Sequence, residues 1–174
     1  SPFTTGGIRG NKTHAGTFHP RSFNMGISRE VYEETGGYRI TRMGEDIEFS
    51  IRIIKQGFST GLIPDAYVYH KRRTSLGKFF NQLHFFGRAR ININRFHPGQ
   101  IKLIHTLPTV FVLGVIFLLS FPFWNMQAFK ILLAPIFFFF SLIFAHSSVK
   151  NSSLFIGMLS TAAAFIQLTG YGIG

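Results

Sequence analysis

Gly44-Glu45-Asp46-Ile47-Glu48-Phe49-Ser50-Ile51-Arg52-Ile53-Ile54-Lys55-Gln56-Gly57 reads as one helix with both ends marked. Carboxylates crowd its first turn, where unpaired N–H groups and the helix dipole favour negative charge. Apolar residues run through its body, Lys55 closes it, and Gly57 stands at the C′ position where a left-handed residue ends a helix. Upstream, Ser28-Arg29-Glu30-Val31-Tyr32-Glu33-Glu34-Thr35-Gly36-Gly37 gives a shorter helix, N-capped by Ser28 and stopped by its glycines. Ahead of it, Arg21-Ser22-Phe23-Asn24-Met25-Gly26 mixes polar and apolar residues without a clear period. Downstream, 58–63 and 66–69 are short β-prone runs split by Pro64-Asp65, followed by His70-Lys71-Arg72-Arg73-Thr74.

Beyond this block the chain changes character. Its 174 residues suffice for one domain or part of one. It opens Ser1-Pro2-Phe3-Thr4-Thr5-Gly6-Gly7, as if cut from a longer protein. Only 14% of the residues are charged and 46% are hydrophobic, which excludes a disordered chain and argues against an ordinary soluble domain. With no cysteine there is no disulfide, thiol nucleophile or Cys-ligated metal. The net charge of +11 is unevenly spread. Residues 1–65 hold all 7 acidic side chains and 8 basic ones, residues 66–102 hold 8 basic and no acidic ones, and residues 103–174 hold only Lys130 and Lys150.

The last zone predicts membrane spans. Residues 107–124 are 18 positions without charge, about 27 Å as a helix and close to the hydrocarbon thickness. Two more apolar runs follow at 129–145, charged only at Lys130, and at 154–168. Trp124 suits an interfacial aromatic, Pro108 an early helical position, and Pro122 and Pro135 are tolerable within membrane helices. Lys71, Arg72, Arg73, Lys78, Arg88, Arg90, Arg95 and Lys102 all precede the first run, so residues 1–102 are expected on the cytosolic side. Leu76, Phe79, Phe80, Leu83 and Phe86 follow amphipathic spacing, with Lys78, Asn81, Gln82 and Arg88 largely off that stripe. Such a helix is expected to lie on the anionic leaflet; binding to nucleic acid, the competing explanation of the charge, leaves the aromatics without a role.

The order of elements in the first zone resembles the C-terminal half of a family 2 glycosyltransferase. The resemblance rests on Gly44-Glu45-Asp46-Ile47-Glu48-Phe49-Ser50, then Gly57, Ile63-Pro64-Asp65-Ala66 and Val68-Tyr69-His70-Lys71-Arg72-Arg73-Thr74-Ser75. Phe23-Asn24-Met25-Gly26-Ile27-Ser28-Arg29 leading to Gly36-Gly37-Tyr38 extends it, so that it covers about residues 15–100. It implies an α/β, Rossmann-like GT-A domain that binds a nucleotide-sugar and a divalent metal, Mg²⁺ or Mn²⁺. Residues 1–75 would then be the C-terminal half of that domain, residues 76–102 a basic interfacial segment, and residues 103–174 about three transmembrane helices. The implied partners are a nucleotide-sugar donor, a lipid-linked or polysaccharide acceptor and the cytoplasmic membrane, with no nucleic acid.

The resemblance also implies roles. Asp46 matches the family's general base, which removes the acceptor hydroxyl proton as that oxygen attacks the anomeric carbon opposite the leaving diphosphate. The product is inverted, and base assistance of this kind is worth about 10²–10⁴ in rate. Glu45 supports Asp46 or the acceptor. On these two residues alone, capping of a helix is the better explanation of Asp46; the flanking pattern reverses that preference in favour of the base. His70 stands where some relatives ligate the metal, though a structural histidine fits too. Arg72 and Arg73 are candidates for the departing diphosphate or for lipid headgroups. Arg21, Asn24 and Met25 fall on the acceptor side.

Two departures qualify the resemblance. The metal-binding Asp-x-Asp motif is expected upstream of Ser1 with the main metal ligands, since Asp46-Ile47-Glu48 is better explained by the base motif. This chain alone is therefore expected to transfer no sugar. Gln82 is not followed by the Arg-Trp of the processive Gln-x-x-Arg-Trp motif, which favours single addition. The rival function is a non-catalytic membrane protein, a transporter or scaffold fragment with a basic cytosolic arm. A transporter is expected to carry ionisable groups deep within its spans, and these hold none beyond His105, Lys130, His146 and Lys150 near span ends. A scaffold gives no reason for Gly44-Glu45-Asp46 and His70 to flank one unit.

Overall fold

The computed structural model describes residues 19–40, 42–63, 65–69, 71 and 74–174. They form two compact units. Of these residues, one unit takes in 74–87 and Lys102–Gly174; the other takes in those from 19 to 71 and Arg88–Ile101.

In the second unit, α1 spans Arg29–Thr35 and α2 spans Glu45–Lys55. Both begin and end as their sequences predict. The Ser28 hydroxyl accepts from Val31 N–H, and Gly36 in left-handed conformation stops α1. Gln56 caps α2 and Gly57 follows with φ +90°. At the other end Gly44 holds φ +96°, and a Cβ there would meet Ile93 Cδ1 at 2.6 Å, so only glycine fits both the backbone and the approach of α3. α3 spans Leu76–Phe96, and its Ala89 and Ile93 are buried in this unit with Phe49, Ile51 and Ile53. Phe49 is fully buried, with Tyr32 edge-on at 6.1 Å and Tyr38 tilted at 4.7 Å.

The expected strands do not form. Among the described residues there is helix, turn and unpaired chain only, so the α/β class expected for residues 1–75 is not seen in them. The β-prone runs remain open: Ile63 is 70% and Tyr69 95% exposed. A strand needs a neighbour whose N–H and C=O groups complete the ladder, and the hydrogen bonds seen at these runs, Phe58 N–H to Ile53 O, Ala66 N–H to Ile63 O and the Asn24 amide to Ala66 O, belong to turns and a side chain and not to a ladder.

The first unit holds three helices long and apolar enough to cross a membrane. α4 spans Leu103–Leu118, α5 Met126–Lys150 and α6 Leu154–Ile173. The charge-free run that reads as one span through residue 124 breaks at Leu118. Pro122 explains it: the ring has no N–H for the Leu118 carbonyl and collides with it, and Phe121–Phe123 tighten into a 3-10 turn. α5 and α6 form an antiparallel hairpin, sealed by Ser147 and Ser160 hydroxyls at 2.6 Å. Phe111, Phe140 and Phe165 join the three helices, ring centroids 6.0–6.2 Å apart. The stripe expected on lipid is partly spent inside the protein, because Phe80 and Leu83 close on Gly170 at the end of α6. Leu76 and Phe86 stay exposed.

Candidate functional site

The acidic start of α2 holds three carboxylates with different fates. Glu48 is fully buried. Its Oε1 accepts from Arg52 Nε at 2.6 Å and pairs with His97 Nε2 at 3.2 Å, while Oε2 accepts from Arg52 Nη2 at 3.0 Å. The guanidinium also donates to the carbonyls of Thr35 and Gly37, both at 2.5 Å. Lys55 Nζ lies 3.2 Å from His97 Nδ1; an ammonium only donates, so Nδ1 accepts and Nε2–H is left for Glu48. Burial pushes the Glu48 carboxyl up, but the hydrogen bonds from Arg52 and His97 and the Arg52 charge outweigh it and hold its pKa below the ordinary 4.5. Arg52 thus pins the turn between α1 and Tyr38 onto α2.

Glu45 and Asp46 are only half-buried. Asp46 Oδ1 accepts from Ile47 N–H at 2.9 Å, so this carboxylate does satisfy a first-turn amide. Oδ2 has no hydrogen-bond partner among the described residues. Tyr38 lies alongside: partial burial, then the negative charges of Asp46 and Glu45, raise its phenol above the ordinary value of 10.0. The Tyr38 hydroxyl also donates to Met25 Sδ at 3.8 Å. Tyr38 thereby links Met25 to the acidic end of α2.

The other expected site residues are less gathered. Asn24 closes the 3-10 turn Ser22–Asn24 and donates its amide to Ala66 O at 3.3 Å. Arg21 is exposed, its guanidinium 6.0 Å from the Phe23 ring. His70, Arg72 and Arg73 lie outside the described residues. Among the described residues no group of three or more His, Asp or Glu side chains could hold a metal ion. Glu48 is committed to Arg52 and His97, and Glu45 with Asp46 alone makes no such site, so the described residues by themselves do not form the site of the divalent metal that the resemblance implies. Tyr38, Arg52 and His97 were not among the expected site residues. Glu48 and Arg52 at i, i+4 inside an apolar helix were a readable signal for a buried pair; nothing local marks Tyr38 or His97.

No curated protein and no solved structure matches the chain. A family model described as Glycosyl transferase family group 2 matches residues 17–166. That stretch runs from the segment before α1, through the acidic start of α2, into α6, and so the chain belongs to glycosyl transferase family group 2.

Proposed function

We propose that this chain forms the acceptor-side part of an inverting, metal-dependent glycosyltransferase of the cytoplasmic membrane, with Asp46 as general base. One observation carries the reading: of the acidic residues that open α2, Glu48 is withdrawn into an ion cluster, while Asp46 keeps an oxygen without a hydrogen-bond partner among the described residues and its charge acts on Tyr38, which bonds Met25. A residue needed only as a cap gives no reason for that company. The acceptor hydroxyl transfers its proton to Asp46 as its oxygen bonds to the anomeric carbon. The bond from that carbon to the donor diphosphate breaks, and the nucleoside diphosphate leaves with the electron pair. Attack opposite the leaving group inverts the configuration.

Glu45 assists Asp46, and Arg21, Asn24 and Met25 face the acceptor. Arg72 and Arg73 neutralise the departing diphosphate, and His70 contributes to the metal. The donor is a nucleotide-sugar and the acceptor a lipid-linked or envelope glycan. The catalytic domain is of the GT-A type and faces the cytosol, which the eight cations before α4 support.

The test is Asp46→Asn in the complete enzyme. Transfer is lost while donor binding, measured by calorimetry, stays nearly unchanged; turnover that persists takes the role away from Asp46.

A further inference from the structure

One face of α3 stays open after folding. Phe80 and Leu83 close on Gly170, and a Cβ at Gly87 would overlap the Tyr171 carbonyl oxygen. Lys78, Asn81, Gln82 and Phe85, spaced i, i+3, i+4 and i+7, line an open hollow of about 610 Å³ together with Phe86. The sequence pattern sets Lys78, Asn81 and Gln82 largely off the apolar stripe. Folding places two phenyl rings, 38% and 46% exposed, beside their ammonium and amides.

Depth decides what can reach this face. α4 opens directly after Lys102, the last charged side chain before a long apolar run. Its first turns, and the residues of α6 beside them around Gly172, therefore lie where acyl chains give way to headgroups. α3 rests there, with Phe80 and Leu83 on Gly170, Gly87 on Tyr171 and Gly174 on the His84 carbonyl. The start of α4 meets the same end, where the Thr109 hydroxyl donates to Gly172 O at 3.1 Å. Charge points the same way. No acidic side chain occurs from Ala66 to Gly174, and Lys78 has no ion pair among the described residues. An ammonium and two amides next to open phenyl rings, at headgroup level, match a molecule that is anionic at one end and apolar at the other.

We propose that this face of α3 seats an anionic membrane phospholipid. Its phosphate rests on the Lys78 ammonium and the Asn81 and Gln82 amides, and its acyl chains lie against Phe85 and Phe86. The site is separate from sugar transfer and does not rest on that reading.

The chain has no cysteine, and a Cβ at Gly77 meets nothing within 4 Å. Gly77→Cys therefore carries an environment-sensitive fluorophore next to Lys78 without disturbing packing. In dodecyl maltoside micelles, dihexanoyl-phosphatidylglycerol gives a saturable blue shift, and dihexanoyl-phosphatidylcholine binds at least about tenfold more weakly. Lys78→Gln weakens phosphatidylglycerol binding about tenfold, the order expected of one charge-assisted hydrogen bond. Phe86→Ala weakens it as well, and Lys150→Gln, at the other end of the α5–α6 hairpin, leaves it unchanged. Equal responses to the two lipids, an undiminished response in Lys78→Gln, or the same response to inorganic phosphate at equal concentration would each overturn the proposal.

Discussion

Glu48 and Asp46 stand two residues apart on α2, yet the first is shut away with Arg52 and His97 while the second keeps an oxygen without a hydrogen-bond partner among the described residues and its charge acts on Tyr38. Helical geometry separates them, because residues two apart do not share a face. The lowered pKa of Glu48 has a consequence for stability. A carboxyl held below its unfolded value of about 4.5 contributes stability that is fully present above that pH and lost as pH falls through the folded value. Melting temperature of the chain in micelles is therefore expected to fall below pH 4.5, and Glu48→Gln to flatten that dependence while lowering stability near neutral pH. An unchanged acid limb in the variant would show that another carboxyl is responsible. The i, i+4 spacing of Glu48 and Arg52 was legible in the sequence. His97 was not, since it comes from 49 residues further along and only the packing of α3 brings it in.

At the scale of elements, the helices were readable and the strands were not. Ser28, Gly36, Gly44 and Gly57 mark the ends of α1 and α2 because caps depend on local backbone chemistry. Runs such as 58–63 state only a preference, and a ladder needs partners from elsewhere. The ends also differ in what they can tolerate. Gly44→Ala combines a positive φ with a collision against Ile93, whereas nothing lies within 4 Å of a Cβ at Gly57. Thermal unfolding is expected to show Gly44→Ala as the costlier change, by about 1–3 kcal/mol, with Gly57→Ala limited to about 1 kcal/mol of backbone strain. Equal losses would mean that the Ile93 contact does not constrain the start of α2.

For the membrane helices, packing decides which helix ends lie together. Three successive crossings from a cytosolic Lys102 would put the turn after Lys150 back in the cytosol. The α5–α6 hairpin instead sets that turn at the opposite end from Gly174, and Gly174 packs on α3 at His84. In a bacterial inner membrane, Gly77→Cys is thus expected to react with an impermeant maleimide only from the cytosolic face, and Ser152→Cys only from the other. Labelling of both from one face would refute this arrangement.

Membrane association, the basic flank, both capped helices and the acidic opening of α2 followed from sequence alone, because hydropathy, charge and caps act over a few neighbouring residues. Tertiary structure decided which carboxylate is sacrificed to the core, that Tyr38 accompanies Asp46, and which face of α3 remains open. Each depends on contacts between segments tens of residues apart, and local preference carries no record of such contacts.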